Sequence, residues 1–291
     1  MPPDRPTIPP TVTNRFAGGC AGTPGVTPGI SPGVTMRARL TWPLALATAV
    51  TVAPSVIDRT TAAAAPTADL WPRWQAHDPA STLTVDHSAY ADILERHVRR
   101  GDDGVNRVGY RALAADDRAG LEAYLASLQA VRPDDLTRPE QMAYWINFYN
   151  ALTLKVIVDH YPVDSIRDID TSPGFFASGP WGQKLVTVMG EELSLDDIEH
   201  RILRPIWQDP RIHYAVNCAS IGCPNLQPVP FTADRLEAML EQGANDYVNH
   251  PRGVAWVPRT FGGDQLTASR IYDWFQEDFG GNDAGVIMHL R

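Results

Sequence analysis

Positive charge is in short supply in this chain: 34 acids face 25 Lys and Arg, for a formal charge of −9, and no stretch of five or six consecutive basic residues forms a local patch. That removes the electrostatic footprint by which proteins hold nucleic acid, so nucleic acid is not an expected partner. Cysteine is scarce as well, and three in 291 residues cannot build a disulfide scaffold. Within residues 86–291 a Gly-rich phosphate loop, a Gly-x-Ser-x-Gly nucleophile elbow and a His-Glu-x-x-His motif are missing, which takes support from nucleotide-driven and zinc-protease chemistry. What remains is a globular composition, 44% hydrophobic and 20% charged, long enough to bury a core of its own.

Residues 1–35 hold 8 Pro and 6 Gly, carry only Asp4, Arg5 and Arg15 as charged groups, and show no apolar periodicity. They are expected to stay outside the fold, as a disordered or read-through segment. Met36-Arg37-Ala38-Arg39, the uncharged stretch 40–57 and the small residues Ala62-Ala63-Ala64-Ala65 follow the three-part plan of a secretory signal over 36–65. The competing reading is a membrane anchor, because those 18 uncharged residues approach the ~20 that span a bilayer. Pro43 and Pro54 near its ends and the dilution by Ala and Thr favour the signal. Cleavage would remove five Arg and two Asp with residues 1–65, taking the charge from −9 to −12. The expected product is extracytoplasmic, periplasmic or secreted, with no stable membrane insertion. Cys20 would go with the leader, leaving Cys218 and Cys223 in an oxidising compartment where they can pair.

Residues 66–85 read as a lead-in laid across the surface, with Trp71 and Trp74. From Asp86, apolar residues at helical spacing predict a helix ending before Gly101. Gly101-Asp102-Asp103-Gly104 lacks the alternating acids of a calcium loop and reads as a turn. A second helix is expected over 116–131. The third, 139–160, opens with the capping box Thr137-Arg138-Pro139-Glu140 and is apolar almost all round, so it should be the buried centre. Asn147, Asn150 and Thr153 interrupt it along one stripe, and such buried amides belong to a structural network or to a site.

Alternation over 184–189 predicts a strand that turns at Gly190. Ser194 should cap a helix carrying Asp196, Asp197 and Glu199 in its first turns and ending at Pro205. Residues 211–217 alternate again and read as a second strand, with His213 and Asn217 on one face and Cys218 at the opposite parity. A helix over Leu236 to Tyr247, a Pro/Gly-rich segment 251–263 and an aromatic-faced helix through Ile271 and Phe279 complete the chain. The expected fold is α+β: a single helix-rich domain, 86–291, with a small β-sheet, of papain-like or transglutaminase-like kind.

Three blocks carry a resemblance. They are Tyr144-Trp145-Ile146-Asn147-Phe148-Tyr149-Asn150-Ala151-Leu152-Thr153, Leu193-Ser194-Leu195-Asp196-Asp197-Ile198-Glu199-His200, and Asp209 through Pro224 with its Asn217-Cys218-Ala219-Ser220-Ile221-Gly222-Cys223-Pro224. With the late Ile271-Tyr272-Asp273-Trp274-Phe275, they resemble the domain-of-unknown-function family numbered 547 over most of 85–290. The resemblance implies a domain assignment and, for bacterial members, export. It implies no reaction.

The chemistry the residues permit centres on His213 with Cys218 and Cys223. A thiol beside an imidazole can become a thiolate nucleophile, with Asn150, Asn147 or Glu199 as candidates to orient the histidine. Cys218, His213, Asn150 and Glu199 are therefore the candidate catalytic set for a Cys/His-dependent hydrolase or acyltransferase. The bland alternative makes Cys218–Cys223 a structural disulfide and His213 a hydrogen-bonded core residue. It leaves a binding module for a small molecule, a peptide or an envelope polymer, contacted through aromatics such as Phe175, Phe176 and Trp181. A zinc site on His200, His213, Cys218 and Cys223 fits no compact zinc spacing, and no metal or cofactor is expected. His200 itself reads as a surface or loop-contacting residue, and Glu199 as an acid that complements the helix dipole.

Overall fold

The computed structural model describes residues 66–173, 179–258 and 265–291, together with the backbone of Val34–Met36. The leader over 36–65, apart from Met36, and the aromatics Phe175 and Phe176 lie outside the described residues.

The molecule is α+β and helix-rich, and its strands form small antiparallel sheets. A strand β1 (Val34–Met36) lies in a stretch for which the sequence predicts no element. Helix α1 (Ser88–His97) stops earlier than its periodicity suggests, because the chain turns into a hairpin of β2 (Val98–Arg100) and β3 (Asn106–Val108). The Gly101-Asp102-Asp103-Gly104 turn closes that hairpin, with Gly104 at φ 75° and Arg107 paired to Asp103. Helices α2 (Tyr110–Asp116) and α3 (Arg118–Ala130) follow.

Helix α4 (Arg138–His160) is the centre, as its composition demands. Of its residues from Glu140 to Val158 all but Lys155 are buried. The Thr137 hydroxyl accepts from Glu140 N–H, as a capping box requires, but the Glu140 carboxylate does not turn back on the cap. It accepts instead from Val85 N–H at 2.7 Å, tying the lead-in to the helix start. Trp145, fully buried, meets Trp74 edge-on at 5.3 Å and lies parallel to Phe148 at 6.2 Å. Trp74 is therefore a core residue, not a surface one, because a bulky indole gains more by filling the end of α4 than by facing water.

Strands β4 (Val186–Val188) and β5 (Glu191–Leu193) make the hairpin expected around Gly190, which sits at φ 86°. Ser194 then caps a helical stretch whose first part, Asp197–Leu203, is a π-helix and whose second, α5 (Arg204–Trp207), is α-helical. Pro205 does not end it. The Arg204 N–H reaches back to Glu199 C=O, and Pro205 sits in the first turn of α5, where a missing N–H is tolerated.

The predicted strand over 211–217 is a helix, α6 (Ile212–Ala215). Asp209 and Pro210 set a turn in which the Asp209 carboxylate accepts from Arg211 N–H, and Tyr214 N–H and Val216 N–H close on Arg211 and Ile212. Local side-chain capping thus overrides a short alternation. Helix α7 (Leu236–Val248) is followed by an unforeseen hairpin, β6 (Val254–Val257) and β7 (Gln265–Ala268), on whose far side β1 pairs. The short α8 (Ile271–Trp274) and α9 (Asp283–His289) end the chain.

Buried side chains fall into a large cluster around α4 and a small one of Tyr214, Tyr247, Ile271, Tyr272, Phe275, Phe279 and Val286. Helix α6 joins them, since Ile212 and Ala215 belong to the first and Tyr214 to the second. That seam is where the charged residues collect.

Candidate functional site

The π-helix begins with a closed polar device. Asp197 accepts from Ser194 N–H at 2.8 Å and from Ser194 O–H at 2.7 Å, and it also pairs with Lys184. Capping consumes Asp197 and leaves the next turn, Glu199, His200 and Arg204, to face the seam.

Arg204 is 1% exposed at its side chain and uses four of its five guanidinium N–H groups. Its Nε donates to Asp278 Oδ2 at 2.6 Å, Nη2 to Glu277 Oε1 at 2.7 Å, and Nη1 to Pro66 C=O at 2.7 Å and His200 Nδ1 at 3.0 Å, all above the Phe275 ring at 4.7 Å. An arginine can only donate, so His200 Nδ1 must be the bare nitrogen and Nε2 carries the proton. Burial, reinforced by the charge of Arg204, holds His200 well below the ordinary imidazole range, which agrees with a neutral ring. His200 is buried, contrary to the surface reading, because its ring packs by Phe275 and accepts from Arg204 inside the seam.

His213 lies flat against Phe275, ring centres 4.3 Å apart, and its Nε2 meets Asp278 Oδ2 at 2.6 Å. Burial pushes Asp278 up, but hydrogen bonds from His213 and Arg204 outweigh it and hold the carboxyl down at about 2. Asp278 is thus a carboxylate, and His213 donates to it through Nε2 while Nδ1 looks toward Glu199 Oε1, 3.9 Å away. Burial also lowers the affinity of His213 for a second proton, with Asp278 opposing. The turn that delivers Asp278 depends on Gly280, at φ 95°, where a Cβ would stand 2.7 Å from Gly285 Cα.

Glu199 is the reverse case. Burial raises it to about 7, against the pull of Arg204 and a hydrogen bond from the Tyr149 hydroxyl. It is a buried acid poised to hold or release a proton near neutrality, rather than an exposed partner of the helix dipole.

Asn150 does not reach the reacting groups of this cluster. Its amide nitrogen donates to Ala215 C=O at 2.9 Å and its oxygen accepts from Asn217 N–H at 2.8 Å, so it clamps the chain between α6 and the cysteine loop. Asn147 does the same for Phe231, at 2.7 and 2.9 Å. Both amides are spent on backbone partners. Thr153 Oγ1 is buried with no hydrogen-bond partner.

Cys218 and Cys223 are joined as a disulfide, with Cα atoms 6.5 Å apart. The loop between them is pinned from outside: Tyr247 O–H donates to Gly222 C=O at 2.7 Å, Arg252 to Ile221 and Cys223 C=O at 2.8 and 2.9 Å, and Asn217 to Pro224 C=O at 2.6 Å. While the disulfide bond is intact neither sulfur is a thiolate. Among the described residues no group of three or more His, Cys, Asp or Glu is placed to hold a metal ion. Trp181 is buried at 6% exposure and cannot serve as a surface aromatic, because it packs into the large core.

The structure therefore brings His213 and Glu199 together, sets Asn150 behind them as a backbone clamp and locks Cys218 into the loop. Arg204, Asp278, Tyr149 and Phe275 escape a reading of the sequence. The one local signal was the four-residue spacing of His200 and Arg204 on a single helical face.

Residues 133–248, the segment carrying α4, the π-helix, α6 and the cysteine loop, match the model of the family described as Protein of unknown function, DUF547. No curated protein and no solved structure matches the chain. No helix among the described residues is long and apolar enough to cross a membrane.

Proposed function

We propose that this protein is an extracytoplasmic binding module rather than a thiol enzyme, with the Cys218–Cys223 disulfide serving to fix its loop. The disulfide carries the reading. An oxidised pair is what an exported chain is expected to keep, and the signal-like layout over 36–65 supports the same compartment. The loop is further immobilised by Tyr247, Arg252 and Asn217, which suits a preorganised contact surface for a small molecule, a peptide or an envelope polymer. The experiment is labelling of the native, non-reduced protein with a thiol-directed probe at neutral pH, with Cys218→Ala as control. The module is expected to stay unlabelled, and labelling that disappears in the Cys218→Ala protein would overturn the reading.

A second reading, a Cys/His-dependent hydrolase or acyltransferase of papain-like or transglutaminase-like kind, is favoured by one observation. His213 is held by Asp278 as a catalytic imidazole is held by its orienting carboxylate. In that reading Cys218 acts only after the disulfide is reduced, and Asp278 takes the orienting role for which Asn150 and Glu199 were the candidates.

A further inference from the structure

Residues 66–71 run along the open edge of the π-helix and are held there almost wholly by their main chain. Pro66 C=O accepts from Arg204, Ala68 N–H donates to Glu277 Oε1 at 3.0 Å, Asp69 N–H donates to His200 C=O at 2.9 Å, and Trp71 N–H donates to Arg201 C=O at 3.0 Å. The edge is receptive for a reason written into the sequence. Arg204 N–H is spent on Glu199 C=O and Pro205 has no N–H, so the His200 carbonyl finds no donor one turn on in its own helix. A buried carbonyl must find one elsewhere, and the lead-in supplies it.

Two side-chain features accompany these bonds. The Asp69 carboxylate lies 3.5 Å from Arg201 Nε, and the Arg201 guanidinium sits over the Trp71 ring at 4.4 Å. Residues 66–70 are all exposed, whereas Trp71 is half-buried and Trp74 is buried in the core. The segment is anchored at its C-terminal end and held upstream of it by hydrogen bonds and the exposed Asp69–Arg201 ion pair.

We propose that this edge, made by the carbonyls of His200 and Arg201 with the side chains of Arg201, Arg204 and Glu277, is a binding site for an extended peptide. Residues 66–70 are its tethered occupant. The ligand class is a peptide main chain carrying an acidic residue two positions before an aromatic one, as Asp69 and Trp71 stand here. The inference deepens the binding-module reading by naming the ligand, but it uses a surface that does not include the cysteine loop.

The test uses the full chain. Ala68→Pro with Asp69→Pro deletes two of the N–H donors and should release the segment without touching the edge. The probe is a fluorescent peptide of sequence Pro-Thr-Ala-Asp-Leu-Trp, followed by anisotropy, beside a control peptide with Pro in place of Asp. A short tether presents its occupant at about millimolar effective concentration, so release should tighten binding of the free peptide roughly tenfold or more, and the control peptide should not bind. Glu277→Gln in the released chain should weaken it several-fold. In the parent chain, hydrogen exchange at Asp69 should be faster than at Trp74, showing that the segment opens without unfolding. Equal binding to parent and released chains, equal binding of the control peptide, or exchange at Asp69 only through global unfolding would overturn the proposal. A failure here alongside an unlabelled, oxidised Cys218–Cys223 pair would leave the binding-module reading standing with another ligand.

Discussion

His213 and Asp278, 65 residues apart in sequence, meet at 2.6 Å and tie α6 to the C-terminal turn. Arg204 shares the same carboxylate oxygen, so Asp278 is the joint between the two cores. Asp278→Asn would leave a buried guanidinium with Glu277 as its remaining counter-ion and should cost about 3 kcal/mol in a urea melt. Because Asp278 is held at about 2 against an ordinary 3.8, its contribution is present above the ordinary value and is lost as pH falls between the two. The parent should show that acid loss and the Asn variant should lack it.

Glu199 runs the other way. With its carboxyl raised from 4.5 to about 7, the folded state binds a proton that the unfolded state has released, so stability falls as pH rises through that window and levels off above it. Glu199→Gln removes the effect, which spans up to about 3 kcal/mol for a shift of this size. Relative to the parent, the variant's midpoint should be higher at slightly alkaline pH than at roughly pH 5. His200 and His213, both lowered by burial, oppose this by destabilising the fold as pH drops below the ordinary 6.5, and they do so equally in parent and variant.

Trp145→Ala should cost about 3–5 kcal/mol, the range for deleting a large core aromatic. Trp145 has no exposed surface and contacts Trp74, Tyr144 and Phe148. An unchanged urea midpoint would mean that α4 is not the centre of the fold.

Asn150→Leu strands Ala215 C=O and Asn217 N–H together. Each orphaned group costs about 1–3 kcal/mol, so the loss should be larger than for an amide that merely lines a site. Calorimetric melting would detect it, and a stability gain would remove Asn150 from its clamping role.

Helix α4 was legible because 23 residues carry a cap at one end and apolar side chains on every face, a pattern no strand can use. The β4–β5 hairpin was legible from alternation on either side of a glycine. Helix α6 was not: four residues are too few to display a helical period, and Ile212, Tyr214 and Val216 mimic the period of a strand. The β6–β7 hairpin was hidden because β6 lies inside a Pro/Gly-rich stretch and each strand has four residues, too few to display an alternation. Of the site, His213 and Glu199 were found as titratable residues near a strand-like run, but their partners Asp278 and Tyr149 come from segments far away in sequence. The burial that raises Glu199 is a property of the packed seam, and no local pattern encodes it.

The oxidation state of Cys218 and Cys223 tests the central claim most directly. Intact mass should be measured on the protein without residues 1–65, and so without Cys20, purified without reductant and alkylated before and after reduction. The expected result is no alkylation before reduction and a gain of two alkyl groups after it, the thiol hydrogens added by reduction being replaced. Two alkylated thiols in the carefully non-reduced protein would contradict the binding-module account and return Cys218 and His213 to the candidate list for catalysis.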